Sequence, residues 1–352
     1  MSARPALEIR LGSSARAHIE RNGLHVDDLR GITMAAGGPK WFILAALDRW
    51  LFNEFLPARQ TPLPLLGASI GSWQLAAGIA DGGRAIDQLA AGYMGQSFRR
   101  DDSPEQVTGA ARELLTSLFS KQRQQRILQH PQLQLQVMAV RSTGLTSGRL
   151  GESAGFALSA MAQTMRAEWL QFGFRRHVFT RHKSATEWLQ RPGWETEQSQ
   201  LDDQNLLPAL LASACIPSVM AGVVDPAHAP SGIYRDGGVS DYHIPLHTEA
   251  LDGPVLMPHF TRDLKPGWFD KFLPWRRFGQ AQTDWLIVLN PAKAFAASLP
   301  GGKIPDRHDF LTMPDDIRRQ RWRHAVDAGE RMVDDLRQWM VDGCPADATQ
   351  PL

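Results

Sequence analysis

Gly67-Ala68-Ser69-Ile70-Gly71 sets a serine between two glycines, after the apolar run Leu63–Leu66 and before a helix-like run. A serine so placed can be a nucleophile. A sharp strand-to-helix turn lifts its hydroxyl above a sheet, and small flanking residues let strand and helix approach. The Ile70 N–H, at the start of that helix, would point at a developing oxyanion. A second match, Gly151-Glu152-Ser153-Ala154-Gly155, follows the Ser/Thr/Gly-rich stretch "RSTGLTSGRL", which is not a strand. Glu152 would also set a negative charge beside any oxyanion there, so this match reads as the opening of a helix. Ser69 is the candidate.

A serine nucleophile needs oxyanion donors and a base. "AAGGPKW", Ala35 to Trp41, is another strand running through glycines into a helix. The N–H groups of Gly37 and Gly38 can face a ligand oxygen closely, whereas Pro39 has no N–H and suits a first helical turn. "GIYRDGGVSDYHIPL" places Asp236 after a short strand, before two glycines that allow a sharp bend. The other Asp-Gly-Gly, at Asp81, follows about twelve residues of helix, which puts it roughly 18 Å from Ser69; it reads as a helix-terminal turn. Asp236 is then the expected base, its proton affinity raised by a pocket that excludes water. A Ser-His-Asp triad is the alternative, with His259, His308 or His324 as contenders. Of these, His308 in the loop "PDRHDF" is the main rival, since His324 falls within a helical run. His243 follows Asp236 closely and could line the pocket or serve the loop. Cys215 reads as a buried small residue.

These pieces need a scaffold, and short apolar strands alternating with amphipathic stretches predict an α/β fold. "GITMAAGG", "LPLL", "LQLQVMAV", "FRRHVFT" and "DWLIVLN" are the predicted strands. "WFILAALDRWLFNEFL" and "IGSWQLAAGIA" show helical spacing, and "PDDIRRQRWRHAVDAGERMVDDLRQWM" predicts a long terminal helix with acids in its first turn. Polar segments at 191–204 and 225–232 read as loops. No linker splits the chain, so residues 1–342 are expected to form one domain, with 343–352 as a loose tail.

The 352 residues carry 38 Lys+Arg against 37 Asp+Glu, so no net field points to nucleic acid as partner. "MSARPALEIR" has no apolar core for a secretory signal, and no apolar run could span a bilayer, so a cytoplasmic protein is expected. The two cysteines, Cys215 and Cys344, lack metal-ligand spacing; neither a metal nor a cofactor is expected. "PGWFDKFLPWRRF", residues 266–278, mixes aromatics with basic residues. Such a segment suits either a cap on the site or peripheral contact with a membrane surface.

Taken together, the glycine loop, the Ser69 elbow and the Asp236-Gly237-Gly238 block resemble the patatin-like phospholipase family. "LLASACIPSVM", upstream of Asp236, is similar to that family's Ser-x-x-x-Pro segment. The resemblance spans roughly 31–246. Ala36 stands where the family's loop has its first glycine, Lys40 where it has arginine, and Trp41 where it has the last glycine. The resemblance implies a three-layer α/β/α fold with a mostly parallel sheet and a Ser69–Asp236 dyad hydrolysing acyl esters of lipids. Gly37, Gly38 and Ile70 would form the oxyanion hole, and Lys40, Trp41 and His243 would border the substrate. An α/β-hydrolase esterase and a catalytically silent lipid-binding protein of the same fold are the alternatives.

Overall fold

The structure, a computed structural model, describes residues 4–147, 152–182, 188–189, 191 and 193–352. Eleven strands lie in the described residues: β1 (Leu7–Leu11), β2 (Gly31–Met34), β3 (Leu63–Ala68), β4 (Leu133–Ser142), β5 (Phe174–Thr180), β6 (Thr196–Gln200), β7 (Val223–Val224), β8 (Ile233–Asp236), β9 (Val255–Pro258), β10 (Leu286–Pro291) and β11 (Gln350–Pro351). Nine of them form the path β11-β1-β10-β9-β2-β3-β4-β5-β6, and β8, with β7 beside it, joins β4. Along that path β1–β10 and β4–β5 are antiparallel and the other neighbours parallel. The fold is α/β, a mostly parallel sheet flanked by helices.

The central strands are buried on both faces, as a sheet covered by crossover helices requires. β2, β9 and β10 have every residue buried, and β3 all but Pro64. The Ile70–Gly95 helix buries every residue from Ile70 to Ala80. Such a helix, apolar all round, belongs inside the domain. It breaks at Asp81 and Gly82, whose backbones leave the helical region. Asp81 there binds Arg123, at 2.8 Å, and Arg126, so its role is structural.

Several expectations are revised. The Arg191–Gln204 segment, predicted as loop, contains β6, whose polar sequence TEQSQ gave no apolar signal because it sits at the sheet edge. The single terminal helix is two, Asp315–Ala328 and Glu330–Val341, which meet at Gly329. The tail expected to be loose is docked. β11 pairs with β1, the Arg16 guanidinium donates to the Ala346 carbonyl at 2.7 Å, and the Leu352 N–H donates to Leu11. A short edge pairing of this kind leaves no hydrophobic pattern to read. Of the second Gly-x-Ser-x-Gly match, a helix does begin at Glu152, while Gly151 and the Ser153 side chain lie outside the described residues.

No helix among the described residues is long and apolar enough to cross a membrane.

Candidate active site

Strand register brings Ser69 and Asp236 together. β5 pairs with β4 from Gln136 to Ser142, filling one edge of that strand. β3 and β8 must therefore share the other edge. β3 runs parallel to β4 and ends with Ala68 opposite Met138. β8 runs antiparallel and ends with Asp236 opposite Ala139. The two strands point at one another along one edge, and the residues at their tips meet. The Ser69 hydroxyl faces the Asp236 carboxylate closely enough to hold its proton affinity down.

Ser69 holds φ 55° and ψ −130°, a conformation that L-residues rarely adopt. Such strain persists only where the surroundings enforce it. Here they do. The Ser69 N–H donates to Ser213 Oγ at 2.9 Å, and that hydroxyl donates to the Met138 carbonyl at 2.6 Å. Ser72 Oγ donates to the Ser69 carbonyl at 2.7 Å, and the Trp73 indole to the Leu210 carbonyl at 2.8 Å. Gly71 is obligatory, because a Cβ there would lie 2.0 Å from the Met34 carbonyl oxygen. Ser213 begins the Ser-x-x-x-Pro segment. The segment was visible in the sequence, but its task of pinning the elbow was not.

Asp236 is fixed just as closely. Its N–H donates to the Cys215 carbonyl at 2.9 Å, and its Oδ1 accepts from the Gly238 N–H at 2.7 Å. Burial, only partly offset by the Ser69 and Gly238 hydrogen bonds, pushes its pKa up to about 6. A carboxylate in that range can accept a proton near neutral pH. Cys215 is fully buried and its thiol is pushed up to about 12 by that burial, which leaves it unreactive.

The glycine loop closes over the pair. A Cβ on Gly238 would come within 2.7 Å of Ala36 Cβ, and the Ala36 N–H donates to the Tyr242 carbonyl at 3.0 Å. Gly38 has φ 54°, a left-handed conformation that glycine adopts freely. Among the described residues, no protein group accepts from the N–H of Gly37, Gly38 or Ile70. Unpaired amides beside a hydroxyl nucleophile are what an oxyanion requires. Ser69 and Asp236 are only 7% and 6% exposed, so the dyad lies below the surface.

A strap runs over the Asp236 turn. The Tyr242 N–H donates to the Pro266 carbonyl, the Trp268 N–H to Gly238, and the Lys265 N–H to His243 Nδ1 at 2.9 Å. Underneath, Asp241 forms a bidentate pair with Arg176, at 2.8 and 2.9 Å, both side chains buried. Ser240 Oγ adds a bond to Asp241 at 2.6 Å, and Arg191 bonds the Ser240 carbonyl at 3.0 Å. Arg176 and Asp241 are 65 residues apart in sequence, and nothing local announced that pair.

The remaining candidates sort differently. Trp41, expected to border the substrate, is instead fully buried in the core against Phe42, where its large apolar ring is removed from water. His243 is buried, stacked on Tyr242 and edge-on to His259 at 4.2 Å. Burial and the neighbouring cations and His259 hold its pKa well below the usual imidazole range, so it is a neutral anchor for the strap. Burial likewise brings His259 to about 3. His308 and His324 are exposed. Among the described residues no imidazole hydrogen-bonds Ser69 or Asp236, and no group of three His, Cys, Asp or Glu could hold a metal ion.

Comparison of the chain with protein-family models, with curated proteins and with solved structures finds no match.

Proposed function

We propose that the protein is a serine acyl hydrolase of the patatin-like type, cleaving fatty-acyl esters of lipids through a Ser69–Asp236 dyad. The observation that carries the reading is the strained serine facing a buried aspartate whose proton affinity is raised. Asp236 takes the Ser69 proton as Oγ attacks the ester carbonyl. The N–H groups of Gly37, Gly38 and Ile70 receive the oxyanion, an interaction worth about 3–4 kcal/mol per donor in comparable sites. Collapse passes the proton from Asp236 to the leaving alcohol and leaves an acyl group on Ser69. Asp236 then draws a proton from water, whose oxygen attacks the acyl carbonyl, and returns it to Ser69. Neither the dyad nor the amides need an imidazole, which sets this reading above a Ser-His-Asp esterase.

The 266–278 segment does two things in this reading. Phe269 and Leu273 face inward as a cap, while Phe272 and Trp275 are 73% and 69% exposed. The Glu152–Met165 helix meets the cap through Phe156 against Phe269 and a 2.6 Å hydrogen bond from Gln163 to Asp270, and it exposes Leu158, Met161 and Met165. Apolar side chains beside Arg276 and Arg277 suit a peripheral seat on the cytoplasmic membrane surface. Phe272→Ser with Trp275→Ser is expected to lower co-sedimentation with anionic vesicles; unchanged binding removes the membrane role.

Turnover of a fatty-acyl nitrophenyl ester by the wild type, lost in Ser69→Ala with the fold intact, tests the main reading. A silent lipid binder shows no turnover and no modification of Ser69 by a fluorophosphonate.

A further inference from the structure

Three cations stand around the dyad without a salt bridge of their own among the described residues. Lys271 Nζ stands 3.7 Å over the Tyr242 ring and 5.3 Å from that of Trp268. Lys40 Nζ lies 5.1 Å over the Phe260 ring, whose edge abuts Gly37. The Arg307 guanidinium, more exposed, is 5.8 Å from the Trp268 ring. They come from three separate parts of the chain: the glycine loop, the strap, and the turn before the Asp309–Thr312 helix. Among the described residues none of the three forms an ion pair or a hydrogen bond with a protein group. Asp306, the acid whose charge acts on Lys40, is ion-paired with Lys303 at 2.8 Å.

The three repel one another. Burial, with Lys40 and Arg307 close by, brings Lys271 down to about 7, and among the described residues Asp236 is the acid that opposes that shift. Asp236 is already committed to Ser69 and Gly238, and it becomes neutral once it accepts the serine proton. Desolvated like charges with no partner weaken the folded chain unless something negative arrives to pair with them. Aromatic faces offset part of the burden, since Tyr242, Trp268 and Phe260 each lie under a cation.

We propose that Lys40, Lys271 and Arg307 form an anion subsite, and that the acyl ester cleaved at Ser69 carries a phosphate or carboxylate group close to its scissile carbonyl. The inference rests on the dyad reading and narrows its substrate class from acyl esters at large to anionic ones. Lys271 and Lys40 grip the anion inside, and Arg307 meets it at the mouth.

The test compares short soluble esters, so that no lipid surface intervenes. 1-Butyrylglycerol 3-phosphate is set against 1-butyrylglycerol, and mono-4-nitrophenyl glutarate against 4-nitrophenyl butyrate. The wild type is expected to favour an anionic member by about ten-fold or more in kcat/KM. That ratio should fall to about one-third of its value or less in both Lys271→Met and Lys40→Met, and stay unchanged in Lys121→Met, which alters an exposed lysine on the Lys121–Gln129 helix. A preference in the first pair places the anion on the leaving alcohol, and one in the second pair places it on the acyl side. Turnover of the neutral esters with no anionic preference overturns the subsite while leaving the dyad standing. If no ester is cleaved, the dyad reading fails and calorimetry with glycerol 3-phosphate and glutarate decides the subsite alone. Binding of either that weakens at least about five-fold in Lys271→Met supports it; no binding, or binding indifferent to Lys271, overturns it.

Discussion

Asp236 and Asp241 are both buried, and five positions of one turn separate them, yet their carboxyl groups are pushed in opposite directions. Asp236 faces a hydroxyl and one amide, so burial wins and its pKa rises to about 6. Asp241 also meets burial, but Arg176, Arg191 and the Ser240 hydroxyl outweigh it and hold its pKa below the usual carboxylate value. Burial does not decide what an aspartate is for. Its partners do. A carboxylate bonded by a guanidinium fork is a fixed charge that braces a loop, whereas one left with weak donors keeps an appetite for protons. The turn that carries Asp236 is held from below by Asp241, so the reactive group sits on a rigid neighbour.

That contrast can be broken from either side. The largest expected effect is chemical: Ser69→Ala and Asp236→Asn should each lower steady-state turnover of a nitrophenyl ester by about 10³-fold or more, with circular dichroism unchanged. Asp241→Asn should reduce turnover far less at temperatures where the fold persists. The next effect is structural. Arg176→Met removes the bidentate partner of the buried Asp241 and leaves it only Arg191 at 3.8 Å and the Ser240 hydroxyl, and urea denaturation should show a loss of about 3 kcal/mol. Adding Asp241→Leu should restore much of that loss.

A smaller effect separates the two by sign. Asp236 holds its proton to about pH 6 when folded, against an ordinary value of 3.8. Its contribution to stability is therefore complete below pH 4 and is lost as pH rises through 6, by an amount on the order of 3 kcal/mol. Asp241, with its folded value lowered, contributes above the ordinary carboxylate range and loses that contribution as pH falls through the folded value. Asp236→Asn should thus raise the melting temperature at pH 8 and leave it nearly unchanged at pH 4. A variant equally shifted at both pH values would mean that Asp236 is not buried as a charge.

The parts of the site set by local geometry were legible in the sequence. An elbow needs a strand, two small flanks and a helix within ten residues, and β3 with the Ile70–Gly95 helix supplies them around Ser69. Glycines forced by backbone contact, as at Gly71 against Met34, leave their mark on the sequence directly. Strand β5 coincides with the stretch FRRHVFT, whose Phe174, Val178 and Phe179 are all buried. What stayed hidden depends on contacts between distant segments. β1, β9 and β6 are short or polar, and only their neighbours in the sheet make them strands. The aromatic, basic 266–278 segment read as either a cap on the site or a membrane contact, and its position over the Asp236 turn follows from backbone hydrogen bonds with Gly238 and Tyr242 that no sequence spacing encodes. Lys271 comes near Asp236 for the same reason, and Trp41 is buried in the core instead.

The central claim, that Asp236 activates Ser69, is tested most directly by following fluorophosphonate modification of the intact protein across pH and locating the adduct by peptide mass. The expected result is a single adduct at Ser69 whose rate of formation climbs as pH passes 6 and then levels, with Asp236→Asn slower by about 10³-fold at every pH. An unmodified Ser69, or a rate at Ser69 that ignores both pH 6 and the loss of the Asp236 carboxylate, would contradict it.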